Sequence, residues 1–134
     1  MFQETLIVGM VQAVGPLQYL PMDNGSCKRI TVETVRNFRD NTGQQRREKI
    51  IWRVSAWDKW ADWADKYVRT GMYLQVRGRL HADEITGGPV VRYDKNKAQY
   101  VSSFDLVARD IVPWGGTSLE IERLPIEGNE VEDA

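Results

Sequence analysis

The sequence predicts an all-β domain: five strands closed into a barrel, with one helix inserted between strands 3 and 4. Three observations predict it. Period-two alternation recurs along most of the chain, a helical stripe occurs once, and the connecting helices that a doubly wound sheet requires are missing.

Residues 5–14, TLIVGMVQAV, are rich in strand formers, and Gly9 within the run marks a bulge or sharp bend of the kind that curves a sheet into a barrel. Gly15 and Pro16 end it. Residues 17–20 read as a short edge strand before the Asn24 and Gly25 turn signal. In residues 27–36, Ile30 and Val32 mark the core face, with Lys28 and Thr34 beside them, which leaves Arg29 and Thr31 on the outside. Residues 37–47, NFRDNTGQQRR, read as a polar hairpin loop with Asn41 to Gly43 at its tip and Phe38 at its base. Arg36, Arg39, Arg46 and Arg47 stand on its arms.

Residues 48–80 follow as strand, helix and strand with hardly any loop. Ile51, Arg53, Ser55 and Trp57 share one face of the first strand; Ile50, Trp52, Val54 and Ala56 share the other. Asp58 is the expected N-cap of a helix whose stripe is Trp60, Trp63, Ala64, Tyr67 and Val68, and Gly71 is its expected left-handed stop. Met72, Leu74, Val76, Gly78 and Leu80 then alternate with Tyr73, Gln75, Arg77 and Arg79. Residues 82–89 make a second loop, whose return arm begins at 90–93 with Arg92 and Tyr93. In the last strand, 100–113, Phe104, Leu106 and Ala108 oppose Asp105, Val107 and Arg109. Five strands with a helix between the third and fourth is the order of an OB-fold.

The 134 residues suffice for one domain with a real core. One cysteine, Cys27, rules out an internal disulfide, and one histidine, His81, leaves too few ligands for zinc, so neither metal nor cofactor is expected. No Ser, His and Asp set, phosphate loop or HExxH occurs, and Asp58, Asp62 and Asp65 spread around a helix axis; an enzyme is not expected. Neither a signal peptide nor a membrane span is supported, which points to the cytoplasm. Charge divides the chain. Residues 1–116 hold 17 of the 18 Lys and Arg against 13 of the 19 Asp and Glu, while residues 117–134 set Arg123 against six acids. The basic body suits a polyanion. The acidic tail is expected to be disordered, either solubilising the chain or competing with that polyanion.

Several motifs resemble the bacterial-type single-stranded DNA-binding proteins (SSB) over about residues 4–113. They are LIVGMV, the NG turn at Asn24, ITVET from Ile30, NFRD from Asn37, WRVSAW from Trp52, DKWADWADKYVRTG and VRGRL from Val76. The resemblance implies an OB-fold over residues 1–116, sequence-tolerant binding of single-stranded DNA, a homotetramer or dimer, and a place at the nucleoid. It puts base-stacking positions at Phe38, Ile51, Trp57 and Ile85. Two of these are not aromatic here, and Tyr93 or Tyr100 could substitute. The family's acidic tip often ends in Pro-Phe; here the last residues are Glu132, Asp133 and Ala134, so recruitment of partner enzymes lacks its apolar anchor.

A single strand offers a charged backbone and bare base faces, so its binder needs cations spaced along a groove with flat rings between them. Arg29, Arg53, Arg77 and Arg79, on the outer faces of three strands, with Trp57 and Phe38 nearby, meet both needs, and Arg92 on the return arm is a further candidate. The same residues also admit plainer readings: an arginine row can be a solvated face, Phe38 can fold back over the core, and Trp52 suits a core or subunit contact. The rival to an SSB is an OB-fold adaptor of the primosome type or an RNA- or protein-binding module.

Overall fold

Closure of the sheet is decided in the first strand. In the computed structural model, which describes residues 1–115, β1 (Thr5–Val14) pairs antiparallel with β5 (Tyr73–His81) along its first half and with β3 (Ser26–Arg39) along its second. At Gly9 the strands lie so close that a Cβ would stand 2.3 Å from the Glu33 carbonyl oxygen, which restricts the position to glycine. What the structure puts at Gly9 is this close approach, in place of the bulge or bend that the sequence suggests. The irregular register falls later, between Val11 and Ala13.

β4 (Gln45–Trp57) pairs antiparallel with β3 and parallel with β7 (Gln99–Trp114), and β7 pairs antiparallel with β5. The order β1-β5-β7-β4-β3, with β3 bonded back to β1, closes five strands into a barrel. β2 (Gln18–Tyr19) borders β3, and β6 (Val90–Asp94) forms a hairpin with β7, so the short edge strand and the return arm both form. Alternation sends Ile30, Val32, Val54, Leu74, Val76, Leu106 and Ile111 inward, each buried, and each large aliphatic stabilises by about 1.5–3 kcal/mol.

α1 (Lys59–Tyr67) packs on this core through Ala61, Ala64 and the following Val68, with Trp60 and Trp63 partly buried against it, their rings edge to face at 5.9 Å. Three details differ from the sequence reading. Asp58 does not cap the helix with its side chain: the chain turns straight from β4 into α1, forcing Asp58 to φ 53° and ψ −117°, and its Oδ1 instead accepts the Ser26 N–H at 3.3 Å. Tyr67, the last helical residue, is exposed, with its ring 5.6 Å from that of Trp63, and Ala61 takes an inward place. Gly71 is left-handed at φ 93° but shapes the turn into β5; the helix has already ended at extended Val68, whose N–H bonds the Ala64 carbonyl.

The polar stretch 37–47 is mostly strand. β3 runs to Arg39 and β4 starts at Gln45, leaving a tip of five residues that Asp40 ties together. Its Oδ1 accepts from the Thr42 hydroxyl (2.6 Å) and from the Thr42 and Gln44 N–H groups, and its Oδ2 from Arg46 Nε at 2.8 Å. These bonds hold the Asp40 carboxyl well below the usual carboxylate range, the Thr42 hydroxyl and Arg46 first. Among the described residues no helix is long and apolar enough to cross a membrane. The expected boundary at 116 and the acidic tail lie outside the described residues.

Candidate nucleic-acid interface

Opposed residues in neighbouring strands share a face, so the registers define rows across the outside of the barrel. One row runs Arg29, Ser55, Val107, Arg79 over β3, β4, β7 and β5; the next runs Thr31, Arg53, Asp105, His81. Trp57, opposite Cys27 at the end of β4, shares that outer face and is 39% exposed, and Ile51 lies on it at 37%.

The second row carries a bonded chain. Arg53 Nη1 donates to Asp105 Oδ2 at 3.3 Å, the Ser103 hydroxyl donates to Asp105 Oδ1 at 2.6 Å, and Arg92 Nη1, from β6, donates to Ser103 Oγ at 2.8 Å. Burial lowers the Arg53 pKa, Asp105 opposes that, and Arg92 and Arg29 add to the lowering. Three guanidinium groups therefore sit within electrostatic reach of one another, from three strands. The sequence sets Asp105 on the strand face opposite Phe104 and Leu106, but nothing local counts it in the site, because its partner in β4 is 52 residues away.

Other predicted residues lie elsewhere. Arg77 is drawn toward the N-terminal segment by Glu4 at 3.7 Å, which also reaches Arg109, beside a register shift at Gly78. The β3–β4 register continues without a break to Arg39, so the pleat sorts the hairpin cations: Arg39 and Arg47 share the Trp57 face, whereas Arg36, Phe38 and Arg46 take the opposite one. There the Arg36 guanidinium lies 4.2 Å from the centre of the Phe38 ring. Tyr93 opposes Tyr100, edge to face at 5.2 Å, on the β7 face that carries Phe104 and not on the Arg92 face. Phe104 in turn packs on Trp52, whose indole N–H donates to Thr34 Oγ1 at 2.9 Å, a half-buried and satisfied place on the inner face. Ile85 is 94% exposed on a loop pinned by Asp83, which accepts the Ile85 and Thr86 N–H groups.

A closed five-stranded barrel with one helix between its third and fourth strands is an OB-fold, here with cations and the exposed Trp57 on one outer face. The chain belongs to the single-strand binding protein family, whose family model matches residues 2–111. Among solved structures it is similar to a Plasmodium falciparum SSB in complex with ssDNA (19% identity, TM-score 0.64, 85% of this chain and 96% of that one). It is also similar to a deletion mutant of the single-stranded DNA binding protein from Thermus aquaticus (20%, 0.64, 84% of this chain and 50% of that one). The protein PriB from Ralstonia solanacearum matches at 12% identity and TM-score 0.57 over 84% of this chain and 98% of that one. At these identities the likeness is one of fold.

Proposed function

We propose that this protein binds and protects single-stranded DNA without regard to sequence during replication, recombination and repair, at the nucleoid, and performs no chemistry on it. The observation that carries the reading is the pair of outer-face rows, which set Arg29, Arg53 and Arg79 on three strands of one face beside the exposed Trp57. Phosphates meet the guanidinium groups and a base lies on the indole. Every base has a π-face and every nucleotide a charge, so such a track tolerates any sequence. The hairpin arms extend it: Arg39 and Arg47 on one side, Arg36, Phe38 and Arg46 on the other. The chain assembles as a homotetramer through the outer face of β1, β5 and β7, where Val8, Gln75 and Val112 line up across the strands and Leu6 and Val112 are exposed.

The test is competition of poly(dT) against duplex DNA and RNA, followed by tryptophan fluorescence, with light scattering for the assembly. Single strands should win and quench the emission. Trp57→Ala should remove much of that quenching and weaken binding by about 1–3 kcal/mol, and a variant quenched like the parent would refute the stacking role. Ile51 and Ile85, aliphatic where the resemblance calls for rings, favour a second reading, an OB-fold adaptor or RNA- or protein-binding module. It gains if RNA competes as well as poly(dT).

A further inference from the structure

Resting on that reading, we infer that Asp105 is a positioning residue of the interface, an internal acid that holds Arg53 and, through Ser103, Arg92 in the free protein and releases Arg53 to a phosphate of the bound strand. Asp105 is the one carboxylate in the two rows, and both its oxygens are engaged, Oδ1 by the Ser103 hydroxyl and Oδ2 by Arg53. Three arginines converging from β3, β4 and β6 repel one another, and Arg53 is partly buried among them. A carboxylate between them offsets that repulsion until a polyanion arrives.

The Arg53 contact is suited to exchange. A charge-assisted N–H···O bond is usually about 2.7–2.9 Å and, from arginine to carboxylate, often two-pronged. Here a single pair at 3.3 Å is made, so a phosphate that takes two guanidinium donors displaces a stretched bond with a better one. The bond of Ser103 to Asp105 at 2.6 Å is short and stays, which keeps Arg92 aligned through the exchange. Each strand-binding event therefore costs one internal ion pair, and Asp105 lowers both the affinity and its dependence on salt.

The test uses the full chain and a dT oligomer, with affinity measured between about 50 and 200 mM salt. Asp105→Asn should bind more tightly at low salt, with a log-log slope steeper by about 0.7, because in the parent the cation freed where Arg53 meets a phosphate is offset by one taken up at the released Asp105 carboxylate, and in the variant it is not. Its advantage over the parent then shrinks by about 2.6-fold across that fourfold rise in salt. Asp23→Asn, an equal change in net charge in an exposed turn, should leave the slope alone, and in an Arg53→Gln background the gain from Asp105→Asn should vanish. Asp105→Ser makes the same test should the asparagine variant unfold. A parent that does not bind dT overturns the proposed function; a parent that binds, with Asp105→Asn no different from Asp23→Asn, overturns this inference alone.

Discussion

Gly78→Ala puts a methyl group where two backbones nearly touch. A Cβ at Gly78 would stand 2.1 Å from the Val107 carbonyl oxygen, 2.9 Å from its carbon and 3.1 Å from the Ala108 Cα, all main-chain atoms that no side-chain rotation can clear. Ordinary contact begins near 3.4 Å, so β5 and β7 must part by on the order of 1 Å at the point where their register already shifts. Overpacking of this kind costs typically about 1–3 kcal/mol, and backbone against backbone belongs at the upper end. Alanine recovers about 0.4–1 kcal/mol by restricting the unfolded chain, which leaves a net loss of about 2 kcal/mol. In a domain of this size that lowers the melting temperature by roughly 8 °C. Urea unfolding and a thermal scan give both numbers. Gly88→Ala, which meets only the Thr86 hydroxyl at 3.4 Å, is the control and should stay within about 0.5 kcal/mol of the parent. A Gly78→Ala chain as stable as that control would refute the close-approach argument.

Two further predictions concern single charges. Lys28 is 5% exposed, and its ammonium donates to the Gly15 carbonyl at 2.7 Å and to Asp65 Oδ1 at 3.0 Å, joining α1 to the end of β1. Asp65 is half exposed and rehydrates when released, so Lys28→Met should cost about 1–2 kcal/mol in urea unfolding, and a midpoint at or above the parent's would contradict it. At the hairpin tip the depressed Asp40 pKa fixes a sign: its contribution to stability is complete above the ordinary value of 3.8 and is lost as pH falls through the lower folded value. The Asp40 carboxyl carbon, followed by NMR, should titrate below 3.8, and a midpoint at the ordinary value would show that the Thr42 and Arg46 bonds do not persist in solution.

What could be read in advance was local. Alternation around Ile30, Val54, Leu74 and Leu106 gave the core faces, and the Trp60, Trp63, Ala64 spacing gave the helix, because each pattern lies within a dozen residues. The β3–β4 hairpin is longer than the sequence suggests because both faces of its arms meet solvent, and without a buried face alternation leaves Phe38 as the one apolar mark between Asn37 and Arg47. Phe38 was grouped with Trp57 on nearness along the strands, but the unbroken register puts them on opposite faces. The contact of Arg53 with Asp105 depends on which strand lies beside β7, and two strands and a helix separate β4 from β7 along the chain.

The single parallel pairing among the described residues, β4 with β7, has a consequence for the order in which the molecule is made. β4 and β5 are each bonded to β7, so every unit that can form earlier, the β3–β4 hairpin, β1 on β5 and the helix, leaves two open edges facing each other. Nucleation by near neighbours can build the pieces, but the gap is filled by β7, the latest in sequence of the described strands. Acquisition of the native state is therefore governed by long-range loop closure, slow for a chain of this length, and Arg53 gains its carboxylate partner in that same final step.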